Sequence, residues 1–328
     1  MKLATLKDGS RDGQLVVVSR DLATAHYATG IASRLQQALD DWNFIAPQLQ
    51  DLYDTLNHGK PRHAFPFDAA QCLAPLPRAY AWASGMAYLS HIERLAQAAG
   101  TEPPSHLKSR PLLAQNHSAG FSGPQAPLSA AHAAQGLDFG AQLAVISGDI
   151  PAGSPPAQAL EGIRLLLLAN DCTLRTPQPL EQAHGYGLLQ SKPATAFAPV
   201  AVTTDELGEA WERGRLSLAL QTSWNGRKVG QTDAAAGMQF HFGQLLAHLA
   251  ATRPVRAGTV LGAGPVSHAD AAQGYHAIAE KRALEQIADG QSLTGYLQPG
   301  DTVRIEMKGR DGQSVFGAIT QEVLADAS

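Results

Sequence analysis

Residues 137–146, Leu-Asp-Phe-Gly-Ala-Gln-Leu-Ala-Val-Ile, form a mostly apolar run interrupted at Gln142 and stopped by Ser147-Gly148-Asp149. Such a run reads as a half-buried strand ending in a turn, and a strand needs partners and a core to pack on. Its period of two places Gly140 and Gln142 on one face, with Phe139 and Ala141 on the other. Two carboxylates at 140 and 142 would converge on a hard cation. This chain has neither.

The other elements follow from the same periodicities. Residues 2–6, 13–19 and 24–29 read as short strands separated by Asp8-Gly9 and Arg20-Asp21 turns. Ser33 is placed to cap a helical stripe through Leu35, Leu39, Trp42, Ile45, Leu49, Leu52 and Leu56. Pro47 interrupts that stripe, which leaves two helices or one kinked helix open. Residues 61–77, rich in Pro, Phe and Ala, read as an extended linker, and residues 86–99 as a helix ending at Gly100. The Pro-, Ser-, Gly- and His-rich stretch 101–128 is long for a connection, as functional lids often are.

Further on, Ser154 is placed to cap a helix over 157–163, and Leu165 to Leu168 read as a buried strand ending at Asn170-Asp171. Helices are expected over 204–211, 243–252 and 277–288, and hairpin turns at Asn225-Gly226 and Asp311-Gly312. A Gly-rich strand and bend covers 258–264, and Pro299-Gly300-Asp301 leads a strand through Met307. Hairpin-joined strands without regularly interleaved helices predict an α+β fold.

Composition narrows function mainly by exclusion. A net charge of -4 with no Lys/Arg run argues against a nucleic-acid partner. No apolar run approaches the ~20 residues that span a bilayer, and the N-terminus lacks a signal core, so a cytoplasmic protein is expected. Cys72 and Cys172 have no zinc-type spacing and read as reduced packing thiols. Gly262-Ala263-Gly264 lacks the rest of a phosphate-loop or dinucleotide pattern and reads as a tight turn.

Three places stand out. Asp171 ends a buried strand, where a carboxylate can bind a cation or pair with Arg175; taken alone, the ion pair is the safer reading. Lys192, in Gln190-Ser191-Lys192-Pro193, is placed either to hold an anionic substrate or to be an ordinary solvated lysine. His91 becomes a general base if a carboxylate orients it; taken alone, a surface histidine is the safer reading. Glu93 is a poor orienter, because residues two apart on a helix do not face each other.

Taken together, residues 2–19, Phe65-Pro66-Phe67, Leu137-Asp138-Phe139, Asn170-Asp171, Gln190-Ser191-Lys192-Pro193, Ala279-Glu280-Lys281-Arg282, Pro299-Gly300-Asp301 and Arg304-Ile305-Glu306-Met307 resemble the long, two-domain bacterial type of the fumarylacetoacetate hydrolase superfamily. The resemblance covers nearly the whole chain. It implies a mixed β-roll or sandwich catalytic domain over residues 76–328, preceded by a small α+β domain and linker over 1–75, in a homodimer. It also implies Mg²⁺ or Ca²⁺ chemistry on 2-oxo or β-dicarbonyl acids: carbon–carbon hydrolysis, decarboxylation or isomerisation.

Carried over residue by residue, the resemblance is uneven. Of four metal carboxylates only Asp171 remains; Ser84, Gly140 and Gln142 occupy the other three positions. His91 matches the general base, Glu280 its orienting glutamate, and Lys192 and Thr195 the residues beside the metal. Arg175 and Gln178 are expected to help hold the substrate anion. Gly264-Pro265 stands where the family has a Gly-Thr pair, and Asn116, His117 and Ala119 stand where relatives carry Gly and Asp. At most weak Mg²⁺ or Ca²⁺ binding is expected, because such sites depend on the number of anionic ligands. The expectation is therefore an enzyme on a small 2-oxo or β-dicarbonyl acid with weakened or lost metal binding. The alternative is a noncatalytic relative that binds a small carboxylate or a partner protein.

Overall fold

The structure is a computed structural model that describes residues 1–59, 61–118 and 120–324, so the reading of Ala119 lies outside the described residues. Among the described residues the main sheet has eleven strands. Its path runs Phe65–Pro66, Thr24–Tyr27, Gln14–Val18, Lys2–Leu6, Val200–Val202, Ile163–Asn170, Ala141–Ser147, Thr259–Gly262, Ala81–Gly85 and Leu113–Asn116, with Ala196–Phe197 pairing Ile163–Asn170 off the path. A second sheet of five strands runs Arg227–Asp233, Ala219–Trp224, Thr302–Met307, Ile319–Leu324 and Leu128–Ser129. The architecture is α+β, as the hairpin pattern predicts.

The main sheet is buried on both faces at its centre, and the residue alternation shows how. Leu143 and Val145 enter one hydrophobic cluster, together with Leu166 and Leu168. Ala144 and Ile146 enter a second, together with Leu165 and Leu167. Strands covered on both sides need apolar residues at every position, which is why these two runs read as near-continuous. Burying each Leu or Ile there contributes about 1.5–3 kcal/mol. The second cluster is covered by the helix Trp42–His58, whose Ile45, Leu49, Tyr53 and Leu56 face it. The N-terminal strands join the same sheet, because Lys2–Leu6 pairs with Val200–Val202.

Several local expectations change. Residues 137–146 are two strands, not one. Leu137–Asp138 pairs with Thr173–Leu174, whereas Ala141–Ser147 pairs with Ile163–Asn170 and Thr259–Gly262. The break falls at Gly140, whose backbone lies so close to Asp171 that an added Cβ would meet its carbonyl oxygen at 2.6 Å. The N-terminal helical stripe divides at Asp41, and Pro47 is accommodated inside Trp42–His58. Arg34, not Ser33, is the cap position, and Ser33 bonds to Gln37 instead. The helix Pro156–Glu161 starts with Pro155 as its cap, while the Ser154 hydroxyl donates to the Pro151 carbonyl. Stretch 101–128 contains the edge strand Leu113–Asn116. Asn225-Gly226 adopts the two positive φ values (51° and 73°) that a tight hairpin turn needs. No described helix is long and apolar enough to cross a membrane.

Candidate active site

A cleft of about 720 Å³ opens between the helices Leu89–Ala98 and Ile278–Asp289, the segment from Gln178 to Lys192, and the edge of the main sheet. Ser84, His91, Gly140, Asp171, Arg175, Gln178 and Lys192 all line it. Gln142, Thr195 and Glu280 do not; each is buried and bonded to a residue that does.

The sheet places the first group. Ser84 lies beside Gly262 in the only parallel pairing of the main sheet among the described residues, and Gln142 lies opposite Ala169 on the neighbouring strand. An added Cβ at Gly262 would meet the Gln142 carboxamide at 2.2 Å, so glycine there leaves room for the side chain. Gln142 Oε1 accepts from the Gly264 N–H (2.7 Å) and the Ser84 hydroxyl (3.2 Å), and its Nε2 donates to Asp171 Oδ2 (3.2 Å). Asp171 Oδ2 also accepts from Lys192 Nζ (2.9 Å) and Asn116 Nδ2 (3.2 Å), and Oδ1 accepts from the Thr195 hydroxyl (3.0 Å).

Four donors thus bond one carboxylate, three at Oδ2 and one at Oδ1, which saturates Oδ2. The ammonium of Lys192 is equally committed, since it also donates to Thr173 Oγ1 (3.0 Å) and the Cys172 carbonyl (3.3 Å). Asp171 therefore pairs with Lys192, not with Arg175 as expected from the chain alone. Among the described residues, no group of three or more His, Cys, Asp or Glu side chains is arranged to hold a metal ion. Hard dications are held by several anionic oxygens. This donor set offers one carboxylate, already facing an ammonium, and does not fit such an ion.

A second network holds His91. Its Nδ1 lies 3.0 Å from Glu280 Oε2, and Glu93 points instead toward Lys108 at 4.0 Å. Glu280 Oε1 accepts from the Ser267 hydroxyl (2.6 Å) and from Arg94, which also donates to the Ala269 carbonyl (2.7 Å). Burial alone pushes the Glu280 carboxyl up. Hydrogen bonds from His91, Ser267 and Arg94 outweigh it and hold the group below the usual glutamate value. A carboxylate at Nδ1 keeps the proton on that nitrogen and leaves Nε2 as the acceptor. Among the described residues nothing hydrogen-bonds to Nε2.

Arg175 is held by Asp138 at 2.9 and 2.7 Å and by Gln178 Oε1 at 2.9 Å. Asp138 is fully buried and also accepts from the N–H groups of Ile278 (2.6 Å) and Ala279 (3.1 Å). Those are unpaired donors at the start of the helix that carries Glu280, so Asp138 fixes where that helix begins. Both cysteines are buried and free, with thiols pushed up to about 12 by burial.

The sequence reading missed Arg94, Ser267 and Asp138 as parts of these networks. Arg94, three residues after His91, was the accessible signal, because that spacing brings side chains to one helix face. Nothing local marks Ser267.

Residues 1–78 match the model for fumarylacetoacetase N-terminal domain 2, and residues 80–324 match the fumarylacetoacetate (FAA) hydrolase C-terminal model. No curated protein matches the chain. Among solved structures, a putative HpcE protein from Mycobacterium smegmatis superposes with a TM-score of 0.68 at 18% identity over 100% of both chains. A 2-hydroxyhepta-2,4-diene-1,7-dioate isomerase from Mycobacterium marinum gives 0.61 at 17% identity, again over 100% of both. Maleylpyruvate hydrolase from Sphingobium sp. SYK-6, in complex with manganese (II) ion and pyruvate, gives 0.64 at 13% over 100% of both. At these identities the likeness bears on the fold.

Proposed function

The chain belongs to the fumarylacetoacetate hydrolase family, and from that premise we propose that it is an enzyme acting on a small 2-oxo or β-dicarbonyl acid, with divalent-metal binding weakened or lost. The reactions are carbon–carbon bond hydrolysis or a metal-free tautomerisation or decarboxylation. The observation that carries this reading is the contact of His91 Nδ1 with Glu280 Oε2 at 3.0 Å on the wall of the cleft. An imidazole oriented by a buried carboxylate, with its other nitrogen unbonded among the described residues, is the arrangement of a general base.

In the hydrolytic version His91 Nε2 takes a proton from water as the water oxygen adds to the substrate carbonyl. The carbon–carbon bond then breaks, giving a carboxylic acid and an enolate, and the enolate carbon recovers the proton from His91. In the tautomerisation the same nitrogen removes a proton from the carbon beside the carbonyl and returns it to the oxygen. Either way negative charge develops on an enolate oxygen. Lys192 supplies compensating charge nearby, and the Cys172 carbonyl, its longest contact at 3.3 Å, is the one a substrate oxygen would replace. Gln178 lines the same cleft, and Thr195 steadies Asp171 from behind it.

No step runs through a dication. The manganese-bound relative illustrates chemistry that would here have to displace Lys192 from Asp171. The mutual satisfaction of Asp171 and Lys192 also favours the second reading, a noncatalytic relative that binds a carboxylate. The same premise carries a homodimer in the cytoplasm, and light scattering tests the dimer.

The deciding experiment is turnover of acylpyruvates and oxaloacetate, with EDTA present, by wild type, His91→Ala and Lys192→Ala. Turnover by wild type that collapses in His91→Ala supports the enzyme. No turnover of any of these acids would leave the binding protein, and turnover unchanged in Lys192→Ala would remove Lys192 from its role.

A further inference from the structure

We propose that Arg282 is the residue that anchors the substrate carboxylate in this cleft; the inference rests on the 2-oxo-acid reading above and supplies its missing anion-binding group. Three cationic side chains line the cleft, Arg175, Lys192 and Arg282. Two are already neutralised. Arg175 is bound by the buried Asp138, and all three N–H groups of Lys192 are in use on Asp171, Thr173 and Cys172. Arg282 alone of the three has no carboxylate partner among the described residues.

It is nevertheless held in place. One nitrogen, Nη1, donates to the Thr294 carbonyl, and the guanidinium lies over the Tyr296 ring at 4.7 Å from the centroid. That loop is fixed in turn by Glu285, which accepts from the Leu293 and Thr294 N–H groups (2.8 Å each) and from the Thr294 hydroxyl (2.5 Å). Nε and Nη2 make no hydrogen bond to any described residue, which leaves one edge of the fork open. A half-buried guanidinium without a counter-charge in a concave, largely apolar site lacks an anion, and its planar edge matches a carboxylate bidentately. The helix Ile278–Asp289 thus does two things: it holds His91 through Glu280 and presents Arg282 to the same cleft. The same cleft is also lined by Ile92, Leu95, Leu112 and Leu188, which suits an apolar acyl arm. The substrate class is an acid of acylpyruvate type with an apolar acyl group.

The test compares acetylpyruvate with its uncharged methyl ester on wild type, Arg282→Gln and Arg282→Lys, by calorimetric affinity and steady-state kinetics. Wild type should prefer the acid about 10- to 100-fold, the effect of a charge-assisted pair. Arg282→Gln should lose most of that preference through KM with kcat retained, and Arg282→Lys should fall between, having charge without the fork. A wild-type ratio near one overturns the proposal without any variant. So does a preference kept in Arg282→Gln, or, should that variant not fold, an undiminished preference in Arg282→Lys; in each case turnover of the acid leaves the 2-oxo-acid reading standing. Failure of wild type to bind or turn over either compound overturns both.

Discussion

The Lys192 ammonium lies 2.9 Å from Asp171 Oδ2, with side-chain exposures of 11% and 5%. The cleft-lining carboxylate Asp171 thus faces a fixed organic cation. Removing one member of so buried a pair leaves the other uncompensated, typically at about 3–5 kcal/mol. Lys192→Met should therefore destabilise the fold strongly, and Asp171→Asn in the same chain should recover much of the loss. A urea-denaturation double-mutant cycle reads this directly; additive effects of the two changes would contradict it.

Glu280→Gln keeps the shape of the side chain and removes the charge that fixes the His91 tautomer. We predict a fall in kcat of about 10²- to 10⁴-fold with a smaller change in KM. Wild-type kcat in this variant would show that the dyad is not the base. The Glu280 carboxyl sits below its ordinary value of 4.5, so between that value and its folded one the unfolded chain binds more protons. Its contribution to stability is present above 4.5 and is lost as pH falls through the folded value. The acid limb of a stability curve should be shallower in Glu280→Gln than in wild type.

His276 offers an independent acid-sensitive position. It is fully buried between the Thr222 (2.8 Å) and Thr232 (3.0 Å) hydroxyls, and burial lowers it from 6.5 to about 4. The unfolded chain takes up this proton first, so stability should drop by roughly 3 kcal/mol as pH falls from about 6.5 to about 4, and level off below. His276→Gln should flatten that segment. An unchanged slope there would assign the acid sensitivity to other groups.

Added Mg²⁺, Mn²⁺ or Ca²⁺ should leave the melting temperature within about 1 °C, since an ion that binds only the folded state would raise it by mass action. A clear rise with any of the three rejects the weakened-metal reading. Gly140→Ala should also destabilise, by about 1–3 kcal/mol, because its Cβ would meet the Asp171 carbonyl at 2.6 Å. Glu placed at 140 and 142 is then expected to lower stability without creating metal affinity, a result that titration calorimetry checks.

Much of the scaffold was legible in the chain. The Leu165 to Leu168 run, the Asn225-Gly226 turn and the helix carrying Glu280 all lie where periodicity and turn chemistry put them, because burial and backbone sterics act locally. The errors were local too, but arose where tertiary contacts prevailed. Residues 137–146 broke at Gly140 because the Asp171 backbone passes there, and Arg175 took Asp138 because a helix start needed that carboxylate.

The α+β class and the apolar strands of the core can be read from the order of residues alone, as can Ser, Gly and Gln at positions 84, 140 and 142. How the polar groups share their hydrogen bonds depends on the folded arrangement. That His91 meets Glu280 at a separation of 189 residues, that Lys192 is paired with Asp171, and that Arg282 has no carboxylate partner among the described residues are facts of three-dimensional pairing. Buried charges must find partners wherever the fold brings them, and spacing along the chain does not encode which ones they find.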